Sequence, residues 1–461
     1  MLDGFAALCA RLAQIDLFGK AGKPMPKGAS LSAAVKRASP LLPHVYGEAY
    51  TARLEASLPR LHRMAGRKPA AVEVLTGAVY QHGNAAAPLE RFLAVISDLY
   101  RSFLDRDKRA GAGVPLAESL PPLALFQHDG ASGPFTVAVD DVGNLIGGKV
   151  GVVSMPATYA AHPILWAALA HETGGHDVLH ADAGLLDELG SGMRAALADV
   201  PRHPAMSRDD LARLWAYWID EASADVYGLL NCGPAFVPNL AALLGALNAR
   251  TMKGKPVLRM ESRFAERDPD QMLDAHPTDI LRLHIGIGAI ERMTGLSRAT
   301  RSAYLREIEK LANRFGSGTE ITLEGNIPVG GTRGRRLQVK VPLKFMQQAA
   351  RNVGGYIAAA RLKALKGHSI QEIETWDDAD EAAAQAVRAA LLAKQRIDAL
   401  GDDAQLLAGA TLALLEAPQR YDAVTSALND GLDRSFDTDP IWGTPPADAA
   451  YLRYAKNARL R

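Results

Sequence analysis

The segment His171-Glu172-Thr173-Gly174-Gly175-His176 sets two imidazoles and a carboxylate within six residues. Neutral imidazole is a ligand for zinc and related ions, and a carboxylate beside such an ion can take a proton from water. The common helical arrangement, H-E-x-x-H, spaces its histidines by four, which puts them ~40° apart around an α-helix. Here the spacing is five, and a regular α-helix would spread the two rings by ~140°. One residue absorbed as a π-bulge returns both to a common face, and Gly174 and Gly175 are the residues that best tolerate that distortion. The segment follows the apolar run 164–170, so His171 and Glu172 are expected to be buried, where ionisable groups need a partner or a metal.

A second source of ligands lies downstream. Glu221-Ala222-Ser223-Ala224-Asp225 is E-x-x-A-D, and residues four apart share a helix face. That face is the apolar one, reached from Leu211 through Leu214 and Trp218. A third element is His276-Pro277-Thr278, with Arg282 six residues after His276. His180, four residues after His176, is a fourth candidate. As a ligand it would close the site and make it structural, and the alternative is a supporting or surface histidine. Other signals are weak. Arg333, Arg335 and Arg336 cluster in a predicted hairpin turn, either as an anion site or as a solvated turn. Gly147-Gly148-Lys149 lacks the remaining residues of a phosphate-binding loop, and there is no G-x-S-x-G. Glu172 to His176 is E-x-x-x-H, not the E-x-x-H of di-iron bundles.

The six-residue form H-E-x-x-G-H resembles the motif of the dipeptidyl peptidase III family of zinc peptidases. The E-x-x-A-D segment is similar to that of gluzincin metallopeptidases. The H-P-x-x-x-x-R segment resembles that of the CAAX-prenyl-type zinc endopeptidases, which use the shorter H-E-x-x-H and are membrane-embedded. The resemblance covers residues 148–285 and is a composite of two peptidase groups. It implies one Zn2+ per chain, held by His171, His176 and Glu221, with Glu172 as general base. It further implies that Asp225 orients a ligating histidine. His276 then stands near the developing oxyanion, or is merely a helix-start residue, and Arg282 ties helices together or binds a substrate carboxylate. The function implied is peptide-bond hydrolysis on a peptide or protein substrate. The alternative is a non-peptidase protein on the same scaffold, an interaction module with structural metal or a hydrolase of another amide.

These residues need elements to hold them. Residues 88–105 carry Leu89, Phe92, Leu93, Ile96, Leu99, Tyr100 and Phe103 at helical spacing. From Leu123 the period becomes two: Phe135, Val137 and Val139 alternate with Thr136 and Ala138, a turn follows at 141–144, and 149–155 reads as a second strand. That strand is expected either to pair with an extended peptide or to lie buried in the sheet's centre. A helix starts at Ser207, with Asp210 completing a capping-box pattern, and carries Glu221 and Asp225. Farther on, strands are predicted at 320–323 and 337–343, a helix at 345–365, a strand at 369–375 and a helix at 380–400. The chain is then helical to about Leu432, with an irregular tail at 437–446. The expectation is an α+β, predominantly helical protein: a helical region over 1–120, a zincin-like core over 121–300, and an α/β then helical region over 301–461.

Composition narrows the partners. The 461 residues carry 52 Lys+Arg and 51 Asp+Glu, a formal charge of +1. That balance gives no reason to expect nucleic acid or an anionic membrane. Two cysteines, Cys9 and Cys232, supply neither a disulfide framework nor a cysteine-rich zinc module. No run reaches the ~18–20 apolar residues of a membrane helix. Arg11 and Asp16 break up the apolar N-terminal stretch where a secretory signal would lie. The expected location is cytoplasmic.

Overall fold

The computed structural model describes residues 2–17, 77–78, 87–115, 120–127, 133–138, 150–251, 256–265, 268–316, 318–329, 332–397 and 400–438. Over these residues the chain is mostly helical, with two small mixed sheets of three strands each. Helix α1 covers Leu2–Leu12, and the predicted amphipathic helix forms over Ala87–Leu104 (α2), all seven of its stripe residues being buried. A short helix follows at Arg106–Gly111 (α3).

The first sheet contains β1 (Leu120–Gln127), β2 (Phe135–Val137) and β3 (Val150–Pro156), in the order β1-β3-β2. β1 runs parallel to β3, and β2 antiparallel to it with Thr136 opposite Val153. Both edges of β3 are therefore taken, and of its two expected roles it holds the central one. Val139 and the expected turn at 141–144 lie outside the described residues, as do Gly147, Gly148 and Lys149. Phe92 of α2 packs its ring 4.8 Å from Phe126 of β1, which places this helix against the sheet.

After β3 the chain tightens into two 3-10 turns, Ala157–Ala161 and Pro163–Trp166, and one α-turn at Ala167–Leu169. It then widens into a π-helix over Ala170–Val178. Helices α4 (Leu185–Ala196), α5 (Arg208–Tyr217), α6 (Ile219–Cys232) and α7 (Phe236–Thr251) follow. The single helix expected from Ser207 is two, broken at Trp218 (φ −87°, ψ 9°). Ser207 does cap α5, accepting the Asp210 backbone N–H at 3.1 Å. The break has a use: the Trp218 indole donates to Asp274 O at 2.9 Å, and Tyr217 to Leu273 O at 2.6 Å, pinning the segment that leads to His276.

β4 (Glu261–Arg263), β5 (Glu320–Val329) and β6 (Thr332–Pro342) form the second sheet, β4 parallel and β6 antiparallel to the central β5. Two arginines of the β5–β6 hairpin are engaged within the protein. Arg335 Nε lies 2.7 Å from Asp210 Oδ1, and Arg336 donates to Gln271 at 2.7 Å. The Arg333 side chain lies outside the described residues.

Helices α8 (Asp279–Arg292) and α9 (Arg298–Phe315) pack on each other, and α10 (Leu343–Ala359) packs on α8 and on β5 and β6 of this sheet. α8 and α10 touch backbone to backbone. A Cβ built on Gly288 would stand 1.9 Å from Arg351 O, and one on Gly354 would stand 1.9 Å from Ile285 O. The strand expected at 369–375 is instead a short helix, Ile370–Ile373 (α11). The Glu372 carboxylate reaches back to the Ser369 N–H at 2.8 Å, the local bond that favours a helix start over a strand. α12 (Asp378–Leu392) ends eight residues before the expected Leu400, just ahead of Lys394 at φ 59°. α13 (Asp403–Glu416) and α14 (Tyr421–Thr438) complete the described chain. α14 takes in the first residues of the expected irregular tail, and the rest of that tail lies outside the described residues. One apolar core runs from Phe5 to Leu432, and Cys9 and Cys232 sit in it as free thiols. No described helix is long and apolar enough to cross a membrane.

Candidate metal centre

The π-helix carries the H-E-x-x-G-H segment. The expected single bulge is a nine-residue run of wider helix, in which the Leu179 N–H bonds to Gly174 O, five residues back. This bonding brings residues five apart close to one face, and the His171 and His176 Nε2 atoms stand 3.2 Å apart. The glycines serve close packing as well as backbone freedom. A Cβ on Gly174 would lie 1.9 Å from the Tyr227 ring, and one on Gly175 would lie 2.0 Å from Ala224 Cβ. The absence of side chains on this face is what lets α6 come near enough to present Glu221.

Three donor atoms converge there. Glu221 Oε2 is 3.2 Å from His171 Nε2, and Glu221 Oε1 is 3.5 Å from His176 Nε2. Nitrogen and oxygen ligands at ~2.0–2.2 Å around a tetrahedral ion are separated by ~3.3–3.5 Å, so this spacing is that of a ligand set. Glu221 Oε2 is buried and has no hydrogen-bond partner, despite its nearness to His171. A buried carboxylate oxygen without a donor is costly, and a cation at this point satisfies it. Among the described residues no fourth His, Cys, Asp or Glu joins His171, His176 and Glu221. His180 therefore does not close the set. It belongs to a neighbouring group with Asp220 and the other side of the His176 ring.

Both ligand rings are held from behind. His171 Nδ1 lies 3.0 Å from Asp225 Oδ1, and His176 Nδ1 lies 3.2 Å from Asp220 Oδ1. A carboxylate only accepts, so each Nδ1 carries a proton, and Nε2 is the ring nitrogen left to bind an ion once its own proton is given up. Asp225 is itself clamped by Arg282, which donates from Nε at 2.8 Å and from Nη2 at 2.6 Å. With 6% of its surface exposed, Arg282 ties α8 to α6 beneath the site. Of its two expected roles, that is the helix-tying one.

Electrostatics agree with a site built for positive charge. Burial opposes ionisation of every group here, and hydrogen bonds and neighbouring charges outweigh it. The carboxylates of Asp220 and Glu221 hold His176 well above the usual imidazole range. Asp225 and Glu221 raise His171 less strongly. Both imidazoles hold Glu221 well below the usual carboxylate range, and Arg282 and His171 lower Asp225.

Glu172 is buried, with Oε2 accepting from the Thr136 hydroxyl of β2 at 2.9 Å. His276 stands at the exposed side, its Nε2 3.2 Å from Glu221 Oε1 and its Nδ1 3.0 Å from Asp274 Oδ1. The fold thus gathers His171, Glu172, His176, Glu221, Asp225, His276 and Arg282 in one place. Sequence reasoning missed Thr136, Asp220 and Asp274. Only Asp220, adjacent to Glu221, left a trace in the motif. No protein-family model, curated protein or solved structure matches this chain.

Proposed function

We propose that the protein is a zinc-dependent peptidase, with His171, His176 and Glu221 as ligands and Glu172 as general base. The carrying observation is a three-ligand set that no fourth described side chain joins, beside a buried carboxylate. Three protein ligands and one open position distinguish catalytic from structural zinc sites. When bound, zinc supplies Lewis acidity toward a carbonyl oxygen and a water whose pKa falls toward ~7.

The chain's own groups do the rest. Thr136 holds one oxygen of Glu172, so Oε1 is the atom that takes a proton from water and delivers it to the leaving nitrogen. His276, set between Asp274 and Glu221, is placed to donate a hydrogen bond to the carbonyl oxygen as negative charge gathers there. Asp225 and Arg282 keep His171 in the ligating orientation. An extended peptide lies along β2, whose Thr136 reaches Glu172; β3 has no edge to offer.

The test compares wild type with Glu172→Gln, each purified without added metal, by mass-spectrometric metal content and by cleavage of a peptide library. We expect both to carry zinc, and the variant to lose about 10²–10⁴-fold in kcat. A fully active Glu172→Gln, or a wild type that takes up no zinc when offered it, overturns the reading.

A further inference from the structure

Beside the inner ligands stands a second set of donors. His176 Nδ1, His180 Nε2 and Asp220 Oδ1 lie within 4.8 Å of one another. Asp220 Oδ1 is 3.2 Å from the first nitrogen and 3.3 Å from the second. Charge-assisted N–H···O bonds run to about 2.7–2.9 Å. Arg282 reaches 2.6 and 2.8 Å on Asp225 in the same site. Both Asp220 contacts are longer than such bonds and fall at the ~3.3 Å edge expected between ligands of one tetrahedral ion. The two ligand-bearing elements are arranged alike. Each offers an inner group and an outer one: His176 Nε2 and His180 on the chain after the π-helix, Glu221 and Asp220 on α6.

We propose that His176, His180 and Asp220 form a second, solvent-facing site for a divalent transition-metal ion, joined to the inner site by the His176 ring. Two imidazoles and a carboxylate suit borderline cations such as zinc, nickel or copper, and not the hard magnesium or calcium ions. The three side chains are 17%, 23% and 44% exposed, so water completes the coordination. With an ion on each nitrogen the ring is an imidazolate. The Nδ1–H bond breaks, its proton passes to solvent, and the freed lone pair binds the outer ion, with no change in oxidation state. Without the outer ion Asp220 accepts that N–H and orients His176 for the inner one. The outer ion has to displace the ring's second proton, which is far less acidic than the first, so it binds more weakly than the inner ion.

Zinc is titrated into the full-length protein against a chromophoric chelator, and ions per chain are counted by mass spectrometry after gel filtration. Wild type should hold two ions, the second weaker. His180→Gln should lose the second and keep the first, and His171→Ala should lose the first. His180→Asn replaces the glutamine variant if circular dichroism shows that variant unfolded. Calorimetry in two buffers of different ionisation enthalpy should count one proton released with the second ion. A single ion at saturating zinc, an undiminished second ion in the His180 variant, or no proton release overturns the proposal. The outcome is separable from the peptidase reading. Hydrolysis with one ion leaves that reading and removes this site, and two ions without hydrolysis do the reverse.

Discussion

Asp225 is 3% exposed and serves two partners at once, the His171 ring and the Arg282 guanidinium. Asp225→Asn keeps the shape and removes the charge that fixes the imidazole proton on Nδ1. Inner-site zinc affinity should fall by roughly 10–100-fold, read by competition with a chelator. Arg282→Met should instead act on stability, because it leaves the Asp225 charge buried without its cation. Loss of one member of a buried pair costs about 3–5 kcal/mol, measurable in urea. Arg282→Lys should not restore it, since a point charge cannot reproduce the two-pronged contact. At this scale the sequence was informative where chemistry repeats at short range. His171, Glu172 and His176 share one segment, and Glu221 and Asp225 share one helix face. Thr136 and Asp220 meet their partners across 36 and 44 residues, and no local spacing marks such pairs.

Among the elements, the π-helix and α6 decide whether the ligands meet. Gly175→Ala would place a methyl group 2.0 Å from Ala224 Cβ and 2.2 Å from its Cα. Helices that close must separate, so the variant should lose both zinc affinity and thermal stability. Ala224→Gly added to it should recover only part of the loss, because the new methyl group still meets the α6 backbone. A double-mutant cycle of metal affinity and Tm checks this, and simple additivity would count against close packing as the reason for the glycine. The five-residue histidine spacing pointed to a widened helix, but its nine-residue extent, packed against α6, has no mark in the local spacing. Two other differences have equally physical roots. The break at Trp218 follows from an indole bonded to Asp274 O, a tertiary interaction invisible to periodicity. The 369–375 segment, expected as a strand, has its isoleucines three apart at Ile370 and Ile373, and the Ser369–Glu372 bond starts a helix there.

Across the whole molecule, two buried titratable groups bend stability in opposite directions. Burial pushes the Glu374 carboxyl up to about 8 from an ordinary 4.5, with Ser102 easing the rise. The folded chain therefore keeps a proton that the unfolded chain gives up, and stability declines as pH rises through that window. Burial and then Arg351 push His284 down to about 3 from 6.5, so the unfolded chain binds the proton first as pH falls below 6.5. Stability declines on that side too, and each group contributes at most about 1.4 kcal/mol per pH unit. The two slopes cancel between pH 4.5 and 6.5. Urea midpoints at pH 5, 7 and 9 should therefore show Glu374→Gln removing the fall above pH 7, and His284→Leu giving a fall that already starts at pH 5. Midpoints that keep the wild-type pH dependence in both variants would remove these groups as its source. Helix α2 packs on the π-helix, and its Arg91 bonds Asp433 and Asn429 of α14. Ser102 of the same helix bonds Asn231 of α6 at 2.8 Å. The ligand cradle is thereby braced by a strut anchored near the far end of the chain. Trimming the protein to the segment that bears the ligands would keep every donor atom and discard the brace. How long an ion stays bound would then gauge the integrity of a region more than two hundred residues away.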